Sequence, residues 1–332
     1  MSMGSLCVLQ AKDEVKMRKS GYSLAKTLYA PSKTIVLRGD LGAGKTTFVQ
    51  GFADGLGITE RVTSPTYALE QRYGESVLSH IDLYRLSTVQ ANEFMRTLDP
   101  FSGIRIIEWS DRSSEIEADI AIDITEERDG RNIMITFYDI PTPTESEIEG
   151  WMEDVSLPQH IRRHVRKVAD ISGTVANSLM VQGRAVRKTE LRAAALSHDL
   201  LRFVDFTSMT GDELYSPTPK ETDMWIHCKK TYGTPHEKAA EKFLVEHGYS
   251  EIGRIVRTHR GHGVDSVPET IEQYALSYAD KRAIIDTAVT LDERFDDFVM
   301  RYGGGTESEA ARAWRTEMKR IESFLFSEGV PF

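Results

Sequence analysis

The sequence predicts an α/β domain followed by an all-α domain. Three observations carry this reading. A short apolar run ends at a glycine-rich turn that opens into a helix, several strand-length runs follow within the first 140 residues, and nearly continuous helical periodicity extends from Leu157 to Ser327.

Taken in order, residues 8–29 read as an amphipathic helix ending before Pro31. Thr34–Leu37, inside Lys33–Arg38, has the profile of a buried strand. A helical run from Lys45 to about Leu56 follows the glycine-rich turn, with Gly57 placed to cap its end. Tyr67–Tyr73 alternates in polarity and reads as extended. Val77–Leu83, Ile104–Trp109, Ala118–Ile124 and Asn132–Ile140 are further strand candidates. Pro141-Thr142-Pro143-Thr144-Glu145 is the best linker, because its prolines block regular pairing and Glu145, Glu147 and Glu149 add solvated charge. This sets a first domain at 1–140, a linker at 141–150 and a second domain at 151–332. In the second domain 158–180, 187–201, 236–247, 267–291 and 308–327 read as helices, the last packing across the core. No alternating strand, internal repeat or low-complexity tract interrupts them.

Composition narrows the function classes. A chain of 332 residues with 40% hydrophobic residues can build two cores, and no run of about 18 apolar residues suggests a membrane span. No secretory signal is visible, and Cys7 and Cys228 can neither staple the fold nor complete a thiolate zinc site. A reducing cytoplasm is the expected location. The net charge is −10, and residues 1–150 carry 16 Lys/Arg against 23 Asp/Glu, so neither part reads as a stand-alone nucleic-acid binder.

Gly39-Asp40-Leu41-Gly42-Ala43-Gly44-Lys45-Thr46 matches G-x-x-x-x-G-K-[ST] between an apolar strand and a helix. Glycines let backbone N–H groups close on phosphate oxygens, and the helix N-terminus adds its positive end. Lys45 would reach the β- and γ-phosphates, and the Thr46 hydroxyl would ligate Mg²⁺. The strand Val77–Ile81 ends in Asp82, a carboxylate placed for the magnesium side. The strand Ile104–Ile107 ends in Glu108-Trp109. Two roles are open to Glu108, holding magnesium or orienting water, and two to Trp109, packing on the nucleotide or capping the core. His80 is likewise open between core and site.

The blocks Gly39 to Thr47, Ser64-Pro65-Thr66-Tyr67, His80-Ile81-Asp82-Leu83-Tyr84-Arg85 and Ile107-Glu108-Trp109 together resemble the TsaE family, over residues from about 10 to 140. The resemblance implies a P-loop ATPase of tRNA N6-threonylcarbamoyladenosine synthesis that works with the TsaB–TsaD complex. That complex, not this domain, would hold the tRNA. By the same resemblance Thr46 and Glu108 are magnesium-side residues, Asp82 is the Walker B-like acid, and Thr66 sits in a nucleotide-sensing loop. Gly39, Asp40, Gly42, Ala43, Gly44, Lys45, Thr46, Thr47 and Trp109 are the expected nucleotide contacts.

Most of the nine histidines lie after residue 158. His198-Asp199 closes an apolar helix, with His164 upstream and His236, His259 and Asp280 downstream. Imidazole and carboxylate suit first-row transition metals, and facing helices can project them into one pocket. Two ions about 3.5–4 Å apart can generate hydroxide and clamp a phosphoryl group. This ordered set resembles the HD phosphohydrolase superfamily over roughly 155–290, in its two-metal form. The resemblance implies one site of His164, His198, Asp199 and Asp280 and another of Asp199, His236 and His259. The common His-Asp-Ile-Gly-Lys here reads His198-Asp199-Leu200-Leu201-Arg202, which leaves Arg202 as a phosphate-binding cation and the substrate class open. His160 is an alternative to His164, and His262 to His259 or to substrate binding. His227 and His247 read as surface residues. Lys238, Lys281 and Arg282 can hold phosphate or form solvated helix faces.

The expected protein is thus a fusion, an α/β P-loop NTPase domain followed by an all-α HD-type domain. It would use ATP and Mg²⁺ in the first and two divalent ions, Mn, Fe, Co or Ni, in the second. The second substrate would be a nucleotide or related phosphoester, AMP being attractive because threonylcarbamoyl transfer releases it. The alternative is a non-catalytic nucleotide sensor or docking module that regulates the ATPase.

Overall fold

A computed structural model describes residues 4–207, 214–260, 267–302 and 304–326. The chain forms two compact units. One holds the described residues up to Asp139 together with Leu179–Arg187. The other holds Ile140–Ser178 and the described residues from Lys188 onward.

The first unit is a seven-stranded mixed sheet. Its elements are β1 (Ser5–Ala11), α1 (Glu14–Ala25), β2 (Lys33–Arg38), α2 (Lys45–Gly55), β3 (Glu70–Tyr73), β4 (Leu78–Asp82), α3 (Thr88–Thr97), β5 (Ile104–Glu108), β6 (Ile120–Glu127) and β7 (Gly130–Phe137). The strand order is β1-β7-β6-β2-β5-β4-β3. The four inner strands β6, β2, β5 and β4 run parallel, and β1, β7 and β3 pair antiparallel at the flanks. Strands covered on both faces favour apolar runs, which explains Ile35-Val36-Leu37 in β2, while the fully buried β4 carries Ser79, His80 and Asp82 among its five residues. Helices α1 and α2 pack closely because two glycines face the partner backbone. A Cβ at Gly21 would lie 2.1 Å from the Phe48 carbonyl oxygen, and one at Gly51 would lie 2.0 Å from that of Arg18.

The helix expected over 8–29 is corrected at its start. Residues 5–11 form β1, with Cys7, Leu9 and Ala11 buried and Leu6 and Val8 exposed. Helix α1 begins only after Asp13, whose carboxylate accepts from the Lys16 N–H at 2.8 Å.

The segment Leu179–Arg187, distant in sequence, completes this unit. Ala185 is buried in its apolar core. The Ser20 hydroxyl donates to the Gly183 carbonyl at 3.2 Å, and that of Ser23 donates to Ala185 at 3.4 Å.

The second unit is helical: α4 (Glu145–Asp154), α5 (Gln159–Val181, to Ser178 in this unit), α6 (Lys188–Ser197), α7 (Pro219–Tyr232), α8 (His236–Glu246), α9 (Ser250–Arg257), α10 (Ile271–Asp280), α11 (Leu291–Tyr302) and α12 (Glu309–Leu325). Its core includes Val165, Val168, Leu191, Trp225, Ile255, Leu276 and Phe295, and α12 contributes Met318, Ile321 and Leu325. Three sequence readings are corrected here. Residues 145–150 are helical, since Thr144 and Glu147 form a reciprocal capping box that starts α4 directly after the prolines. The run 187–201 stops as an α-helix at Ser197, and a 3-10 turn follows at Arg202–Asp205. The run 267–291 is broken after Asp280 by a small hairpin, β8 (Ala283–Ile284) with β9 (Thr287–Ala288). No helix among the described residues is long and apolar enough to cross a membrane.

Candidate functional site

The glycine-rich loop lies between β2 and α2. Gly39, Gly42 and Gly44 all have positive φ, at 147°, 86° and 100°, values that L side chains adopt only with strain. At Gly39 a Cβ would also sit 2.6 Å from the Ile124 carbonyl oxygen. Ala43 is buried, Asp40 exposed, and Thr46 and Thr47 half-buried in the first turn of α2. The Lys45 ammonium folds back over the loop. It donates to the carbonyls of Gly39 at 2.8 Å and Asp40 at 3.0 Å and lies 4.4 Å from the centre of the Trp109 ring.

Sheet register brings the acids alongside. Leu37 of β2 is level with Glu108 of β5, and Glu108 is level with Asp82 of β4. Both carboxylates therefore stand at the C-terminal end of adjacent parallel strands, where the loop leaves β2. Asp82 is buried and accepts from Thr66 Oγ1 at 2.5 Å, Ser64 Oγ at 3.2 Å and the Tyr84 N–H at 2.9 Å. His80 faces Glu108, with Nε2 3.0 Å from Oε1, and both residues are buried. Trp109 takes a left-handed backbone with φ 58° and packs against Tyr84, ring centres 4.9 Å apart.

In the second unit, His164, His198, Asp199, His236, His259 and Asp280 come together. They belong to α5, the end of α6, α8, the turn after α9, and the end of α10. His164 Nε2 lies 3.0 Å from Asp280 Oδ1 and 3.9 Å from Asp199 Oδ2. His198 Nε2 is 3.6 Å from Asp199 Oδ2 and 3.7 Å from Asp280 Oδ1. His236 Nε2 is 3.0 Å from Asp199 Oδ1 and 3.2 Å from His259 Nε2. Among the described residues, three overlapping groups have ligand atoms close enough to share an ion: His164, His198 and Asp280; His198, Asp199 and His259; His236, Glu237 and His259. His160 stands outside these groups, lining the adjoining cavity. His262 lies outside the described residues.

Hydrogen bonding aims these rings. Nδ1 of His198 is 2.7 Å from the Ala195 carbonyl oxygen, and Nδ1 of His259 is 2.7 Å from that of Val256. A carbonyl only accepts, so each Nδ1 carries a proton and each ring turns its Nε2 inward. His198 Nε2 is buried and has no hydrogen-bond partner. Burial opposes ionisation of Asp199 and Asp280. Nearby His198, His236 and Arg202 nevertheless hold Asp199 well below the usual carboxylate range, and Lys281, His164 and His198 do the same for Asp280. Burial, then the neighbouring His198 and His236, push His259 well below the usual imidazole range.

A cavity of about 770 Å³ opens beside this cluster. Arg202, Arg260 and Arg294 line it, and Phe295, Phe298 and Trp314 form an aromatic wall. Two of the cations named as phosphate holders are already paired, Lys281 within the cavity lining itself. Lys281 is buried against Asp280 and Trp314, and Arg282 is buried with Tyr278, the Val289 carbonyl and Glu322. Lys238 is half-buried on α8, while His227 and His247 are exposed.

Residues 11–133 match the family model described as Threonylcarbamoyl adenosine biosynthesis protein TsaE. The tRNA threonylcarbamoyladenosine biosynthesis protein TsaE of Haemophilus influenzae is 41% identical over 131 residues, which span 36% of this chain and 83% of that protein. The chain belongs to the TsaE family. The TsaE of a Nostoc species is 40% identical over 119 residues, spanning 34% of this chain and 73% of its own. The crystal structure of Bacillus subtilis YdiB aligns with a TM-score of 0.33 at 28% identity, over 41% of this chain and 88% of that one. The TsaE match covers the glycine-rich loop, Thr66, Asp82, Glu108 and Trp109, and ends before the histidine–aspartate cluster.

Three residues of these sites carried no sequence signal of their own. In the TsaE unit, Arg131 at the start of β7 reaches the phosphate loop, donating to the Gly42 carbonyl at 3.3 Å. In the helical unit Asp205 contacts His236 at 2.6 Å, and Glu237 is buried beside it. Asp205 lies six residues beyond Asp199, and only the 3-10 turn that follows α6 brings it back to the cluster.

Proposed function

We propose that the chain is bifunctional. Its TsaE unit binds ATP with Mg²⁺ and hydrolyses it in support of tRNA N6-threonylcarbamoyladenosine synthesis, working with TsaB–TsaD. Its helical unit is an HD-type, two-metal phosphohydrolase acting on a nucleotide or related phosphoester.

For the first activity, the name shared by the relatives supplies the pathway, and the loop supplies the chemistry. Lys45 exchanges the carbonyls of Gly39 and Asp40 for β- and γ-phosphate oxygens when nucleotide enters. Thr46, Asp82 and Glu108 are the residues to hold Mg²⁺. Thr66, hydrogen-bonded to Asp82, couples its loop to the occupancy of that position.

For the second, the observation that carries the reading is the buried convergence of four imidazoles and two carboxylates at one end of a cavity. The donor set fits divalent transition ions. Two Nδ1 protons are committed to carbonyls, His198 Nε2 is buried without a partner, and Nε2 atoms of His236 and His259 face each other. His164, His198 and Asp280 would hold one ion, His236 and His259 the other, with Asp199 between them. Such ions, when bound, lower the pKa of an attacking water and neutralise phosphoryl charge. Arg202 offers a guanidinium to phosphate oxygens. The Phe295, Phe298 and Trp314 wall gives the organic part of the substrate an apolar seat.

A nucleotide-panel hydrolysis assay with Mn²⁺ on wild type, Lys45→Ala and Asp199→Ala tests both parts. Two separable activities are expected, one lost in each variant. If only Lys45-dependent ATP turnover is seen across the panel, the helical unit is a sensor or docking module and the phosphohydrolase reading falls.

A further inference from the structure

Among the buried ligand-type histidines of the helical unit, His236 is held differently from His198 and His259. Its Nδ1 faces no carbonyl. Asp205 Oδ2 lies 2.6 Å from it and Arg202 Nη1 lies 2.9 Å from it, while Asp205 Oδ2 and Arg202 Nη1 are 3.3 Å apart. Asp205 also accepts from the His236 backbone N–H through Oδ1 at 3.2 Å.

The two hydrogen-bonding neighbours of Nδ1 ask for opposite tautomers, the Glu237 carboxylate standing farther off at 3.5 Å. A guanidinium only donates, so an Nδ1 bonded to Arg202 offers its lone pair and leaves the ring proton on Nε2. That proton would point at Asp199 Oδ1 and His259 Nε2, 3.0 and 3.2 Å away, and the ring could not ligate an ion. A carboxylate only accepts, so an Nδ1 bonded to Asp205 carries the proton and frees the Nε2 lone pair. His198 and His259 face no such choice.

We propose that Asp205 is a positioning residue that holds His236 in its ligand tautomer against the competing donor Arg202. This rests on the two-metal reading of the helical unit. Removing the carboxylate would weaken one of the two ions and spare the other.

Two measurements on the full chain test it. Mn²⁺ titration by calorimetry, on wild type, Asp205→Asn and Asp205→Glu, reads each ion. Nitrogen-15 NMR of the histidine side chains at alkaline pH, without metal, reads the tautomer. Asp205→Asn is expected to bind one Mn²⁺ about 10- to 100-fold more weakly, the usual effect of losing a group that orients a ligand histidine. The other ion keeps its affinity, and His236 moves to the Nε2–H form. Asp205→Glu keeps an acceptor and is expected to retain both the Nδ1–H form and two-ion binding. Adding Arg202→Met to Asp205→Asn removes the competing donor and should return His236 toward Nδ1–H. Unchanged tautomer and unchanged affinities in Asp205→Asn would overturn the proposal. If wild type binds no Mn²⁺, the metal reading itself fails, and the metal-free NMR comparison still decides whether Asp205 sets the tautomer.

Discussion

Arg187 and Asp139 form a bidentate ion pair with both side chains fully buried, Nη1–Oδ1 2.6 Å and Nη2–Oδ2 3.1 Å. The guanidinium also donates from Nε to the Thr27 carbonyl at 3.1 Å and lies 4.1 Å from the centre of the Phe137 ring, while Lys33 adds a second cation 3.2 Å from Asp139. Removing Arg187 takes three hydrogen bonds and one of two counter-charges from the buried interior of the TsaE unit. Arg187→Ala is therefore expected to cost about 3–5 kcal/mol. Urea denaturation of the full chain, followed by a probe in the first unit, measures this. An unchanged midpoint would show that the pair contributes nothing.

Trp109 is the natural reporter of the phosphate loop. Its ring shares the Lys45 ammonium with two carbonyls, so phosphate entering the loop must alter its surroundings. In a Trp314→Phe background, which removes the tryptophan of the cavity wall, addition of ATP with Mg²⁺ should change tryptophan emission, and adding Trp109→Phe should leave it nearly silent. The other three tryptophans of the chain lie in the helical unit.

Gly39→Ala should cripple nucleotide binding more than folding. Its φ of 147° and the Ile124 carbonyl 2.6 Å from a would-be Cβ leave no room for a side chain without shifting the loop. Strain of this kind costs about 1–3 kcal/mol. Nucleotide titration alongside thermal melting separates the two effects, and an ATP affinity equal to wild type would refute the expectation.

Tyr232 sets an alkaline limit. Burial first, then its hydrogen bond to Glu246, push its hydroxyl up to about 12 from an ordinary value of 10.0. The folded state thus favours the neutral phenol. The stability this contributes is complete below pH 10 and fades as pH rises through about 12. Urea midpoints measured at pH 9 and pH 11.5 should fall further in wild type than in Tyr232→Phe, and equal falls would exclude a role for this group.

What was legible in the sequence follows from how local each signal is. The phosphate loop is eight contiguous residues whose glycines are required by the backbone itself. Asp82 and Glu108 each end an apolar run, so their place at one sheet edge follows from the parallel order. The histidines and aspartates of the helical unit were legible as an ordered set of residue types, though spacing alone does not show that five segments converge. Other features were hidden. Ser5–Ala11 is apolar at most positions, and its two-residue period emerges only once one face of the strand packs into the core and leaves Leu6 and Val8 outside. Asp205 and Arg131 look like ordinary solvated charges until a turn and a hairpin bring them to their partners. Arg187 reads as one more surface arginine, because the acid it meets is 48 positions away in the chain.

The insertion of Leu179–Arg187 also bears on the order of events during synthesis. The last strand of the sheet ends at Phe137, yet Ala185 and Arg187 belong to the same buried interior. A ribosome must add about fifty residues beyond that strand before Asp139 can meet Arg187. Until then the nascent sheet carries an open seam and an acid held by Lys33 alone, so the TsaE unit matures only after much of α5 has been made.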